Sequence, residues 1–486
     1  MSNTRSGLRG VLAALLIIGA LFATGVVKVG APQDTAEPAS KKRGRRNKAR
    51  KRGRPDKLQS LAYLGEIPLT EETRHQSGVH RNEPGAWDGY LLANPTGGGR
   101  RHGRSIREAT LWDAQGKKLH SWSTDLPSKR RPWAIARLDQ DGYLYAIVNH
   151  TALIKLDWHS NVVWMVEGRF HHDFSIADDG SIVALAERKR IIEMPPGSGR
   201  GPGRAQIMEH GVVFIDPRGN PTGQVWMYDV VGDTPAFRRT LRRGLRGKGS
   251  AVIIDDDEEG GRGRRALDVF HANSVLALPR AVPGLGGAGD VLISLRNMNT
   301  VVSFSLDTGR PTWMWGESEL IRQHDATLTS DGQVVVFDNR KPADNSRAVI
   351  VDPVSSSVTR VIGGPGSEEP LRFFSLGRGL AQALPNGNIM VVASNEGRVL
   401  EVTEDDRVVW EFWSPWIGTD TRKPIRARRL EGKVQSAVAA IVGGERPAPF
   451  ASPLAAKSVR LQVDGPAQTS GFSPMGQATP VPPSPQ

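Results

Sequence analysis

Two stretches of the chain keep one register: His172-Asp173-Phe174-Ser175-Ile176-Ala177-Asp178-Asp179-Gly180 and His324-Asp325-Ala326-Thr327-Leu328-Thr329-Ser330-Asp331-Gly332. In each, a histidine precedes a short β-forming run that ends in a turn glycine. A third stretch, His271-Ala272-Asn273-Ser274-Val275-Leu276-Ala277-Leu278-Pro279, opens in the same way. Outward from these, a glycine followed by a short apolar run recurs at Gly89, Gly142, Gly180, Gly289, Gly332 and Gly387. A second β run and a turn come next, then usually a run ending in tryptophan, as at Trp122, Trp164, Trp226, Trp313 and Trp410. The fifth unit has Val361-Ile362 where the others carry tryptophan. Such runs, bounded by Gly, Asn, Asp and Pro, indicate antiparallel β structure. Six four-stranded units of roughly 40–55 residues fit the blade period of a β-propeller, whereas a sandwich does not repeat such a unit six times. The expected fold is all-β, a six-bladed propeller of four-stranded antiparallel blades over residues 58–415.

The 486 residues include no cysteine, which excludes disulfides, thiolate metal sites and cysteine nucleophiles. The net charge of +13 is uneven: residues 41–57 hold eleven Lys/Arg against Asp56, a balance of +10 that leaves +3 for the rest. Val11 to Val27 is uncharged and apolar behind Arg5 and Arg9, so residues 1–30 are expected to form a signal anchor or transmembrane helix. Residues 31–57 are then a disordered basic linker. Its charge suits anionic lipid headgroups, and without aromatic residues it offers no stacking surface for nucleic acid. A periplasmic propeller is expected, with the cytoplasmic face left open because basic runs beside an anchor favour that side. Insertions at Pro195–Arg204 and Gly232–Asp268 interrupt the third unit; the first lacks the ending of a phosphate loop. The acidic run Asp255–Glu259 in the second reads as a mobile surface loop rather than a Ca²⁺ site. Residues 416–443 are read as a helical extension, with one helix over Arg426–Ile441, and 444–486 as a disordered Pro/Ala/Ser-rich tail.

In a propeller the first strand of each blade lines the central channel, so equivalent positions converge. His172, His271 and His324 are thereby expected at one channel mouth, with Gly379 at the same place in the sixth blade leaving that side open. Arg188, Arg296 and Arg340 fall near the far end of the next strand, and Arg296 follows the straightest of these. Arginine forks two donors onto an oxyanion while imidazole supplies a nucleophile or proton relay. Three imidazoles also suit Zn²⁺ in a metal-dependent hydrolase or lyase, although Arg296 disfavours a dication. A non-catalytic, membrane-anchored scaffold is a third reading. His171, one residue out of register, is expected on the opposite face of its strand. His80, His102, His120, His150, His159 and His210 are read as surface or structural residues.

From Ser77 to Pro415 the sequence resembles the bacterial arylsulfate sulfotransferase family. The resemblance runs through Gly78-Val79, Trp87-Asp88-Gly89-Tyr90-Leu91-Leu92, His120-Ser121-Trp122 and His172-Asp173. It continues through His271-Ala272-Asn273-Ser274, the strand carrying Arg296, Gln323-His324-Asp325-Ala326 and Val409-Trp410-Glu411-Phe412. It implies a sulfotransferase that moves a sulfuryl group from an aryl sulfate ester to a phenol by a ping-pong route, with no cofactor and no nucleotide sulfate donor. Carried over by position, His324 would become the transient sulfohistidine. His271, Asn273 and Arg296 would hold the sulfuryl oxygens, and His172 would exchange protons with the phenols. The absence of cysteine departs from enterobacterial-type members, which carry a disulfide.

Overall fold

A computed structural model describes residues 67–96, 107–127, 131–194, 203–246, 251–252, 266–340, 344–418, 421–450 and 457–462. The apolar segment Val11–Val27, the basic run and the acidic run Asp255–Glu259 lie outside these residues. Among the described residues no helix is long and apolar enough to cross a membrane.

Six antiparallel sheets form the blades of a propeller. Their inner strands are Ile425–Arg429, Trp133–Leu138, Phe170–Ile176, Ala272–Ala277, His324–Leu328 and Leu380–Ala383, for blades one to six. Each touches the next, and the sixth returns to the first, so the ring is closed. The second strands, such as Leu144–Val148, Val291–Leu295 and Ile389–Ala393, are buried along their whole length. Both faces of a blade pack on neighbours, which is why these strands read as continuous apolar runs rather than alternating ones. The core accordingly divides into six main slabs, one between each pair of adjacent blades.

The tryptophans work at the blade rims. Trp164 of blade two donates Nε1–H to Pro217 O of blade three at 3.2 Å, and Trp410 of blade six donates to Ala114 O of blade one at 2.8 Å. Trp313 reaches Ser356 Oγ of blade five at 3.2 Å. Blade five, without tryptophan, uses Arg360 instead, whose guanidinium bonds Asp406 of blade six at 2.7 Å. At the hub, the bonds are different. Asp173 Oδ2, Ser274 Oγ and Asp325 Oδ2 accept from the N–H groups of Val275, Ala326 and Ala381 at 3.1, 2.9 and 3.4 Å. Each of these bonds joins one inner strand to the next.

The ends of the domain close the ring twice. Gly78–Asn82 pairs with Val408–Trp413 as an outermost fifth strand of blade six, and Ile425–Arg429 pairs with Leu91–Pro95 as the innermost strand of blade one. The helix read over Arg426–Ile441 is therefore shorter: a strand occupies 425–429 and the helix spans Gly432–Val442. Strand pairing wins there because Ile425, Ala427 and Arg429 alternate onto one buried face. Within the segment after Gly444, Lys457–Arg460 adds a parallel fifth strand to blade two beside Val162–Glu167. The second insertion begins with a helix, Pro235–Leu245, capped by Thr234 and seated by Phe237, whose ring stacks on Phe270 at 5.4 Å.

A central cavity of about 360 Å³ is lined from all six inner strands, including Arg137, Asp173, Leu276, Leu328, Ala383 and Arg428. Asp325 is almost fully buried and also accepts from Arg428 Nη2 at 2.8 Å. Removing its carboxylate strands a guanidinium in the hub and frees the Ala381 N–H, so Asp325→Ala is expected to destabilise the domain by about 3–5 kcal/mol. Urea unfolding of Asp325→Ala and of the double variant Asp325→Ala/Arg428→Met checks this. The double variant should recover part of the loss, and equal midpoints for both would refute the account.

Candidate active site at the channel mouth

The ladders correct one part of the expected register. Beside the inner turns the first pairs are Ile176↔Ile182, Ala277↔Val291, Leu328↔Val334 and Ala383↔Ile389. Counted back four residues from these, the equivalent positions are His172, Asn273, His324 and Gly379. His271 stands two residues before Asn273, outside the ladder. Its ring nevertheless reaches the site, meeting His172 edge to face with centroids 5.0 Å apart. Positive φ brings it there: His271 has φ +48°, and His172 has φ +58°. Arg322, Asp325 and Arg378 around the same mouth also have φ between +51° and +63°. Left-handed backbone at such residues costs on the order of 1–3 kcal/mol each and clusters at functional sites.

Each histidine has its tautomer set by a neighbour. His324 Nδ1 lies 2.6 Å from Asn339 Oδ1 and 3.2 Å from Arg322 O. Both are acceptors, because Asn339 Nδ2 is spent on Ser375 O and Arg378 O at 2.7 and 2.8 Å. The His324 proton therefore sits on Nδ1, and Nε2 carries the lone pair. That lone pair accepts the Arg378 N–H at 3.1 Å, a bond that must be released before Nε2 can attack anything. His271 gives its Nδ1–H to Asp268, whose other oxygen accepts the His271 backbone N–H at 2.9 Å. His172 Nδ1 lies 2.8 Å from Nδ1 of His171.

Burial holds all three imidazoles well below their usual range. For His324 the next causes are the charges of Arg296 and Arg426; for His271 the chief charge is Arg296; for His172 the neighbours His171 and His271 come first. Burial also brings the Arg296 guanidinium down to about 10, against the pull of Asp268. Arg296 begins a short 3-10 turn after its strand and fans over Asn297 Oδ1 at 3.2 and 3.3 Å. Arg188 is directed elsewhere, to Glu209 at 2.8 Å, and Arg340 lies by Asp338 at 3.9 Å. Asn273 is fully buried and its Nδ2 donates to Gln323 O at 2.8 Å, joining blades four and five. The Gly379 position is filled rather than open. Gly379 has φ +98°, a Cβ there would fall 2.3 Å from the Phe337 ring, and its carbonyl accepts from Arg426 at 3.4 Å. A cavity of about 210 Å³ adjoins Asp268, the residue that orients His271, and is bounded also by Asn297, Arg322 and, from the insertion helix, Thr240 and Arg243.

A sequence model of the family described as Arylsulfotransferase (ASST) matches residues 139–415, more than half of the chain. The chain belongs to the arylsulfotransferase family. No curated protein matches it. Solved structures of similar shape include a protein of unknown function from Bacteroides caccae, 9% identical, with TM-score 0.45, covering 71% of this chain and 100% of that one. Virginiamycin B lyase from Staphylococcus aureus, in a catalytically inactive form with quinupristin, is 10% identical, with TM-score 0.36 and coverage of 72% and 88%. TolB from Acinetobacter baumannii is 12% identical, with TM-score 0.38 and coverage of 71% and 68%.

In this arylsulfotransferase-family chain, several residues of the candidate site escaped the sequence reading. Arg426 comes from the closing strand, is 3% exposed, and its charge acts on both His172 and His324. Asn339 fixes the His324 tautomer and Asp268 orients His271. His171 does not point away from His172, because residues 171–173 fall in an irregularity of the ladder between Phe170 and Phe174. Alternation of faces fails across such a bulge. His150 and His210 also belong to the histidine cluster, with centroids 6.0 and 4.8 Å from His171.

The depressed imidazole of His324 has a pH signature. Its folded pKa lies below the unfolded value of about 6.5, so between the two the unfolded chain binds more protons and stability falls as pH falls. Urea midpoints of wild type and His324→Gln at about pH 7.5 and about pH 5.5 test this. Wild type should lose more on acidification, by up to about 1.4 kcal/mol per pH unit, and parallel losses would refute it.

Proposed function

We propose that the chain transfers a sulfuryl group from an aryl sulfate ester to a phenol through a sulfohistidine at His324. The observation that carries this reading is the tautomer of His324: the Asn339 contact leaves Nε2 as an unprotonated nucleophile in a site flanked by Arg296 and Arg426. Family membership supports the sulfotransferase class. The hub also holds Arg137 and Arg428 against the two carboxylates Asp173 and Asp325. With Arg426, three arginines face two acids, and the excess positive charge favours an anionic sulfate ester.

In the first step His324 Nε2 attacks sulfur as the Arg378 N–H lets go. The N–S bond forms, the S–O bond to the aryl group breaks, and its electron pair leaves on the phenolate. The sulfate charge among buried imidazoles favours their cationic forms. His172 enters the step protonated and gives that proton to the phenolate. Asp268 supports a second proton on His271, whose Nε2–H and the Arg296 guanidinium then bind the sulfuryl oxygens. Asn273 acts at one remove, by holding Gln323 beside His324. In the second step the acceptor phenol returns a proton to His172, its oxygen attacks sulfur, and the N–S bond breaks to restore neutral His324.

Wild type is expected to release nitrophenolate from 4-nitrophenyl sulfate when phenol is added, with parallel lines in double-reciprocal plots. His324→Ala should be slower by roughly a thousandfold or more. Without acceptor, the peptide carrying His324 should gain the mass of one sulfuryl group. Equal nitrophenolate release by both proteins across a panel of aryl sulfate donors would sink the assignment.

A further inference from the structure

Beside His172 lies a group of side chains that sulfuryl transfer leaves unused. Glu187 and His210 face each other directly across the long hairpin of blade three, and His171 joins them from the inner-strand bulge. His210 Nε2 is 3.7 Å from Glu187 Oε2, and one ligand atom from each of the three residues lies within 4.8 Å of the others. His150 Nδ1 stands 2.8 Å from the second oxygen of Glu187, which Arg169 also contacts at 2.5 Å. His171, His210 and Glu187 are 0%, 3% and 7% exposed. One of their nitrogens, His171 Nε2, is buried without a hydrogen-bond partner, while His210 Nδ1 turns away to within 3.9 Å of Asp268. An orphaned polar atom at such depth costs about 1–3 kcal/mol, which calls for a partner of some kind.

We propose that His171, Glu187 and His210 hold a divalent transition metal of the zinc class, with His150 completing the shell. Two or three imidazoles and one carboxylate form a borderline-soft set that suits Zn²⁺; Ca²⁺ and Mg²⁺ prefer oxygen alone. Zinc bonds to nitrogen and oxygen are about 2.0–2.2 Å. The 3.7 Å edge between His210 and Glu187 is close to what a tetrahedral site of that size needs, and side-chain rotation draws His171 in. The set His172, His271 and His324 is less suited to a dication, since the charges of Arg296 and Arg426 act on it.

The metal also reaches the reaction, a consequence that rests on the sulfuryl-transfer reading. A bond through His171 Nε2 keeps the His171 proton on Nδ1, from which it is donated to His172 Nδ1 at 2.8 Å. In the resting site His172 then holds a single proton on Nε2, and the second proton that sulfate binding brings takes the place of the His171 contact at Nδ1. In this scheme His171 is a positioning residue, acting through His172.

The test is zinc content by elemental mass spectrometry on the full chain, made without a histidine tag, loaded with Zn²⁺ and passed over a chelating resin. One zinc per wild-type chain is expected, retention should fall by roughly tenfold or more in Glu187→Gln and His171→Ala, and His324→Ala should keep the metal while losing transfer. Adding Zn²⁺ to the stripped wild type should raise its Tm, a readout that does not depend on the variants folding. Wild type that neither retains zinc nor shifts in Tm overturns the proposal. So does zinc held equally by Glu187→Gln and His171→Ala, or zinc lost with His324→Ala, which would put the ion on the other three histidines. Failure of His324→Ala to lose transfer, with zinc behaving as expected, would instead sink the sulfohistidine alone.

Discussion

Asp173, Ser274 and Asp325 stand one residue after His172, Asn273 and His324, and each accepts a backbone N–H from the inner strand of the following blade. One residue faces the mouth and its neighbour fastens the strand to the next one. Inner strands have no hydrogen-bond partner on their channel side within their own sheet, so these side chains supply what a further strand would supply in a flat sheet. The bonds involving carboxylates are worth more than the ~1 kcal/mol of a neutral pair, and breaking them leaves buried groups unmet. Positions of the histidines relative to one another therefore follow from the fastening of the ring. That coupling makes histidines from distant sequence a single site.

Much of the fold was legible because blade geometry imposes the same requirement on every repeat. Turn glycines such as Gly180 and Gly332, at φ +81° and +96°, sit where a Cβ is strained, and rim tryptophans reach the next blade. The closing strand was hidden by its own composition. Ile425-Arg426-Ala427-Arg428-Arg429 carries three arginines, which sequence reasoning places in water, yet Arg426 and Arg429 are 3% and 2% exposed. Arg426 is met by the Asp173 and Asp325 charges and the carbonyl of Gly379, and Arg429 by the carbonyl of Gly89, the Trp410 ring and Glu401, none of them near in sequence.

The site was legible in its membership more than in its geometry. His172 and His324 both stand four residues before the ladder pair beside their inner turns, as the spacing implied, although only His324 is itself paired. His271 arrives from two residues earlier, because left-handed backbone turns it inward where no strand position would. The same bulge that orients His172 brings His171 to its side, so the face rule that separated the two did not apply. Asn339, Asp268 and Glu187 carry no signal of their own in a chain with 51 acidic residues. Their roles exist only through contacts across sheets.

The strand Ile425–Arg429 is the last hub element to be synthesised, although it belongs to the first blade. A nascent chain displays every histidine of the mouth before it possesses Arg426 or the hydrogen bonds that close the ring. The ring thus closes in one event, when the strand Ile425–Arg429 docks against Leu91–Pro95. A chain that stopped ahead of residue 425 would carry His172, His271 and His324 without Arg426 and without the innermost strand of blade one.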